Sequence, residues 1–164
     1  MKNFISIILL LFCFNPVYAC DCKPISIEEG YAGSSTVALG RVIRAELKTY
    51  IITAENKDSI WNHYQRLIFN DTISFVEYTI KVIKDYKGSS IMEDLIVRAE
   101  ATHSNCDISL KVGSIYMVYG HNDWWTNLYY PKDKRFILSS ICTRTSINWE
   151  REQQELEKYL QENN

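Results

Sequence analysis

Read for apolar and polar alternation, the chain divides into strands with a helix at either end. The clearest strand runs from Ile73 to Lys84. Val76, Tyr78, Ile80 and Val82 alternate with Glu77, Thr79 and Lys81, the period-two pattern of a half-buried antiparallel strand. An earlier strand, Thr36 to Arg44, changes parity partway. Val37 and Leu39 share one face, Val42 falls on the other, and Gly40 stands between them. A glycine at a parity switch predicts a bulge or bend. Leu95 to Ala99, Ile115 to Tyr119 and Arg135 to Cys142 supply a third, fourth and fifth strand. The fourth is apolar on both faces and is predicted to be central. The fifth carries Phe136, Leu138, Ser140 and Cys142 on one face. Lys87-Gly88-Ser89-Ser90 turns the chain after the second strand, and His121 to Asn127, with Trp124 and Trp125, reads as a loop.

Before the first strand, Ser26 is placed to cap a short helix. Glu28 and Glu29 favour its first turn, and Gly30 and Gly33 limit its length. A second helix is predicted from Asn148 onward, with Asn148 as its cap. Trp149, Leu156, Tyr159 and Leu160 form its apolar stripe, and Glu150, Arg151, Glu152, Glu155, Glu157 and Lys158 a solvated face. Residues 45–72 are the least regular. Glu46 to Thr53 prolongs the first strand outward, Asp58 to Ile68 has apolar residues at helical spacing, and Asn70-Asp71-Thr72 is a glycosylation sequon. Five strands, a glycine bend and flanking helices predict a mainly β domain. The expected form is a small five-stranded closed barrel of the oligonucleotide/oligosaccharide-binding type, with an open sandwich as the alternative.

The first residues do not belong to that domain. Lys2 precedes an apolar run, Phe4 to Phe14, and Ala19 ends the stretch, as in a secretory signal cleaved before Cys20. The run falls short of the ~20 apolar residues that span a bilayer, and no other stretch is long and apolar enough. Residues 20–164 then form one domain, and secretion to an extracellular or periplasmic space is expected. Taking Lys2 from the 18 basic residues leaves 17 against 20 acidic ones, a net charge of −3. A mildly acidic chain without a basic run argues against a nucleic-acid partner.

Export changes the reading of the cysteines. Cys13 leaves with the leader, and the domain retains Cys20, Cys22, Cys106 and Cys142, an even set in an oxidising compartment. Three connectivities exist. A Cys20–Cys22 bridge closes a very tight ring and is disfavoured. In an extended segment, residues i and i+2 project from one face ~7 Å apart, so both thiols can reach neighbouring strands ~4.8 Å away. Both N-terminal cysteines are therefore expected to pin the leading segment against the sheet, each closing a long loop worth roughly 4–5 kcal/mol in the chain-entropy model. A zinc site made by the cysteines themselves lacks the usual Cys-x2-Cys spacing. His103 near Cys106 and Asp107 raises a Cys–His hydrolase, but Cys106 is needed for a bridge, so neither catalysis nor a cofactor is expected. Val17-Tyr18-Ala19-Cys20 partly fits a lipoprotein box, which makes a lipid-anchored envelope protein the alternative, though Tyr18 is bulky for that motif.

Cys20-Asp21-Cys22-Lys23-Pro24 resembles the Cys-x-Cys-x-Pro start of the tissue inhibitors of metalloproteinases. Later landmarks keep the family's order: Val37-Ala38-Leu39-Gly40-Arg41-Val42, Tyr86-Lys87-Gly88, Cys106, Gly113-x-x-Tyr116, and Cys142-Thr143-Arg144-Thr145 before a final helix. Over nearly the whole mature chain this order is similar to the netrin-like module in its compact bacterial-type form. The resemblance implies a five-stranded barrel and the pairs Cys20–Cys106 and Cys22–Cys142. It also implies an inhibitory ridge of Cys20, Asp21, Cys22, Lys23 and Pro24 beside Ser104, Asn105 and Asp107. In such inhibitors the α-amine and carbonyl of the first cysteine chelate the target's catalytic zinc, a role that falls here on Cys20. A secreted zinc metalloprotease or another extracellular protein is the implied partner. Asp21 departs from the pattern, standing where the family has a small uncharged residue, and the family's third bridge is absent.

Overall fold

The computed structural model describes residues 22–53, 71–88, 94–101, 108–122, 135–140 and 142–163. They form helix α1 (Ile27–Gly33), strands β1 (Thr36–Ile51), β2 (Thr72–Lys87), β3 (Asp94–Glu100), β4 (Ile115–Asn122) and β5 (Arg135–Leu138), and helix α2 (Trp149–Asn163). The strands are hydrogen-bonded in a closed ring in the order β1-β2-β3-β5-β4. All pairings are antiparallel except β3 with β5.

The parity switch in β1 has the predicted consequence. Ala38 and Val42 face the interior with Tyr78, Ile80, Leu95, Val97, Tyr116 and Val118. Val37 and Leu39 face outward, where Met117, Tyr119 and Leu156 cover them. The register with β2 shifts three times, between Val37 and Ala38, between Leu39 and Gly40, and between Val42 and Arg44. Such irregularities let one strand bend enough to pair with β2 along its length and with β4 over its first part. Gly40 is required there, because a Cβ would lie 2.3 Å from Ile80 Cγ2 and 2.9 Å from the Lys81 carbonyl oxygen.

The two helices lie on the outer flank of β1 and β4. Trp149, Leu156, Tyr159 and Leu160 meet Ile27 and Tyr31 over Val37, Leu39 and Met117. Complete burial of Leu156 alone is worth about 1.5–3 kcal/mol. Lys87 of β2 donates to the Tyr31 and Ala32 carbonyls at 2.6 and 3.2 Å, placing a cation on the exposed carbonyls at the end of α1.

A different flank holds Arg98 of β3, fully buried. Its guanidinium carbon lies 4.5 Å from the ring centre of Phe136, 5.6 Å from Tyr50 and 5.8 Å from Phe75. Its Nε donates to Glu77 Oε1 at 2.8 Å, and that oxygen also accepts from the Tyr50 hydroxyl at 2.5 Å. The planar cation is thus ringed by π faces and paired with a carboxylate, which is how a buried charge becomes tolerable.

β1 continues to Ile51, as the expected prolongation over Glu46–Thr53 has it, since pairing with β2 persists past the bulges. Other boundaries differ from expectation. β4 reaches Asn122, so His121 and Asn122 pair with Leu138 and Ile137 of β5 instead of opening a loop. β5 ends at Leu138; Cys142 lies in a turn, where Thr143 N–H donates to the Ser140 carbonyl at 3.0 Å. The helix expected over Asp58–Ile68 lies outside the described residues, as do Trp124 and Trp125.

Candidate functional site

The N-terminal segment, Cys22–Ser26, has no regular secondary structure and leads into α1, with Ser26 in an extended conformation. Pro24 fixes its own φ and biases Lys23 toward extended backbone. Ser26 then starts the helix with a reciprocal capping box: its Oγ accepts from Glu29 N–H at 3.1 Å, and Glu29 Oε2 accepts from Ser26 N–H at 3.0 Å. The Ser26 backbone N–H, then the Ser26 hydroxyl, with a smaller contribution from Lys23, hold the Glu29 carboxyl below its ordinary value.

Two attachments tie this segment to the stretch after β5. Cys22 and Cys142 form a disulfide, their Cα atoms 5.1 Å apart across 120 positions of sequence. Two residues further on, the Arg144 guanidinium donates through Nη1 to the Ile25 carbonyl. The stretch is itself anchored along β4. Met117 and Ser146 exchange backbone hydrogen bonds of 3.0 and 2.9 Å. The Thr145 hydroxyl accepts from Tyr119 N–H at 2.9 Å, and Ser139 Oγ donates to the Tyr119 carbonyl at 3.1 Å. Ser139, Thr143 and Thr145 hydroxyls lie within 3.2 Å of one another, giving the turn a hydrogen-bonded centre.

Arg144 also reaches α2. Its Nε lies 2.5 Å from Glu152 Oε1, and its Nη2 lies 3.0 Å from Glu155 Oε2. Glu152 is only 7% exposed and accepts a further hydrogen bond from the Tyr119 hydroxyl at 2.8 Å. Burial, reinforced by the Glu152 charge, pushes the Tyr119 phenol far above its ordinary value. One arginine therefore joins the N-terminal segment, the turn after β5 and the final helix. Its aliphatic stem packs on Gly30, where a Cβ would lie 3.0 Å from Arg144 Cδ.

A cavity of about 270 Å³ opens between this segment, α1 and the end of β4. Lys23, Pro24, Gly33, His121 and Cys142 are among its walls, so the disulfide lies at its edge. Gly33 would accept a Cβ without touching anything within 4 Å.

Of the ridge expected from sequence, Cys22, Lys23 and Pro24 are brought beside Cys142, His121 and Arg144. Cys20, Asp21, Ser104, Asn105, Cys106 and Asp107 lie outside the described residues, and with them the Cys20–Cys106 pair; so does His103. Glu152 corrects the expectation of a wholly solvated acidic face on α2. The signal was present: Glu152 falls three residues after Trp149 and four before Leu156, on the apolar stripe itself. Arg144, read only as part of a motif, is the centre of the arrangement. Among the described residues no group of three His, Cys, Asp or Glu side chains gathers to hold a metal ion, and no helix is long and apolar enough to cross a membrane. No family model matches the chain, and no curated protein matches it.

Proposed function

We propose that the chain is an exported netrin-like binding module, built on a barrel of the oligonucleotide/oligosaccharide-binding type, that inhibits a zinc metalloendopeptidase through its processed N-terminus. The observation that carries this reading is the Cys22–Cys142 disulfide, with the Arg144 bond to the Ile25 carbonyl three residues further along the N-terminal segment. Both attachments restrain the backbone immediately after the proposed mature terminus. A restrained terminus loses little entropy when it enters a cleft.

The chemistry asked of Cys20 is modest. A catalytic zinc keeps one position for water or substrate. An α-amine with a pKa near ~8 loses its proton at small cost, and the amine and carbonyl of one residue close a five-membered chelate ring. On this reading Cys20 is paired with Cys106 and the ridge comprises Cys20–Pro24 with Ser104, Asn105 and Asp107.

The test uses oxidised mature protein beginning at Cys20 against a panel of secreted zinc endopeptidases. Inhibition is expected, and a single extra residue before Cys20 should abolish it by capping the amine. Absence of inhibition across the panel, or acyl chains on Cys20 in native material, rejects the proposal.

A further inference from the structure

Past the pairing with β4, β1 continues along β2 as an antiparallel ribbon, Arg44–Ile51 against Thr72–Thr79, with β3 on the far side of β2 from Phe75 onward. β4 accompanies β1 only over Thr36–Arg41. The last backbone bonds on that side run from Val42 N–H to the Ser114 carbonyl (3.0 Å) and from Gly113 N–H to the Val42 carbonyl (2.8 Å). From Ile43 to Ile51, no described strand pairs with β1 on that side. Such an edge is a template for another strand.

This edge is also apolar where solvent meets it. Ile43, Leu47 and Ile51 recur at every fourth position and are 49%, 66% and 74% exposed, and they make up half of the exposed large hydrophobics among the described residues. Edge strands are ordinarily protected by charge, and here Arg44, Glu46 and Lys48 supply it. Their order decides the partner. Laid antiparallel on the same strand of a second copy, with Leu47 opposite Leu47, the segment is self-complementary. Ile43 meets Ile51, Glu46 meets Lys48, and Arg44 meets the ring of Tyr50.

Other registers fail. A slip of two residues sets Glu46 against Glu46 or Lys48 against Lys48, and like charges directly opposite are destabilising. A slip of one residue turns the apolar row of one copy toward the polar face of the other. Within one copy, Glu46 is 2.9 Å from Lys48 and 3.5 Å from Arg44, but these groups are substantially exposed. Such pairs are weak and exchange partners at little cost.

We propose that the edge of β1 facing away from β2, Ile43–Ile51, pairs antiparallel with the same edge of a second copy, forming a twofold dimer in register at Leu47. The interface is isologous and closes on itself, so it yields a dimer and not a filament. It rests on the ribbon alone and is independent of the N-terminal proposal.

The test is the oligomeric state of the oxidised mature chain by sedimentation equilibrium, from about 1 μM to about 1 mM, the span of weak to moderate affinities. A monomer–dimer equilibrium is expected. L47K should weaken it at least tenfold, by roughly the effect of placing like charges opposite each other across the axis. E46K and K48E, tested separately, each create two like-charge oppositions and should weaken self-association about tenfold. An equimolar mixture of those two variants should regain it as a heterodimer, because the introduced charges then face their opposites. Rearrangement within one chain cannot produce that rescue. None of the three positions is buried, and circular dichroism verifies folding. A wild-type chain that stays monomeric throughout overturns the proposal. So does a dimer indifferent to L47K, or a variant mixture that does not recombine.

Discussion

Replacing Arg144 with methionine is the sharpest perturbation of the candidate site. Methionine keeps most of the stem that packs on Gly30 and removes the guanidinium. Three interactions go: Nε to Glu152 at 2.5 Å, Nη2 to Glu155 at 3.0 Å, and Nη1 to the Ile25 carbonyl. Glu155 loses little, because Arg151 remains 2.7 Å away and the pair is exposed. Glu152 loses more, since its side chain is 9% exposed and its remaining partner is the neutral Tyr119 hydroxyl. Removing one partner of a buried ion pair costs about 3–5 kcal/mol. Arg144 itself is partly exposed, so the lower end applies, and R144M should lose about 3 kcal/mol in urea unfolding. That is a large share of the ~5–15 kcal/mol of a typical domain. A double-mutant cycle with E152Q isolates the pair, since glutamine still accepts from Tyr119, and a coupling above ~1 kcal/mol is expected. Amide exchange over residues 22–30 should quicken in R144M while that of β2 and β3 changes least. A loss below ~1 kcal/mol, with additivity within ~0.5 kcal/mol in the cycle, would refute the assignment of Arg144 as the joint.

Two further tests concern the frame that holds the site. G40A should cost about 1–3 kcal/mol, because its Cβ meets Ile80 Cγ2 at 2.3 Å and backbone at 2.9 Å, whereas G33A, with nothing within 4 Å, should be neutral or slightly stabilising in a thermal melt. Hydrogen bonds from Lys84, Gln153 and Tyr86 pull the Glu157 carboxyl from 4.5 down to about 2. Because its folded pKa is depressed, its contribution is present above the unfolded value and is lost as pH falls from about 5 toward 2. E157Q should therefore lower the neutral-to-alkaline plateau of the stability–pH curve and flatten its acid limb, the two proteins converging toward pH 2; an unaltered acid limb rejects this assignment.

Much of this fold was legible along the chain. The alternation in β2, the parity change about Gly40, the helix cap at Ser26, and the stripe of Trp149, Leu156, Tyr159 and Leu160 all recur in the structure. Each is a matter of neighbours within about four residues, where strand and helix periods and end groups operate. Strand ends were less legible. β4 runs on to Asn122 because Leu138 and Ile137 of β5 are there to pair with it, and Cys142 leaves β5 because the chain must turn toward Cys22.

What only the tertiary structure decided concerns groups far apart in sequence. The burial of Arg98 depends on rings from three other strands closing around it. The partners of Arg144 come from Ile25, far upstream, and from a helix it precedes. No local period encodes such meetings, because they follow from the closure of the ring and the docking of α2. The amino-acid order therefore determined which residues make strands, caps and apolar stripes. Ring closure determined which charges are buried and which edge of β1 is left without a described strand beside it.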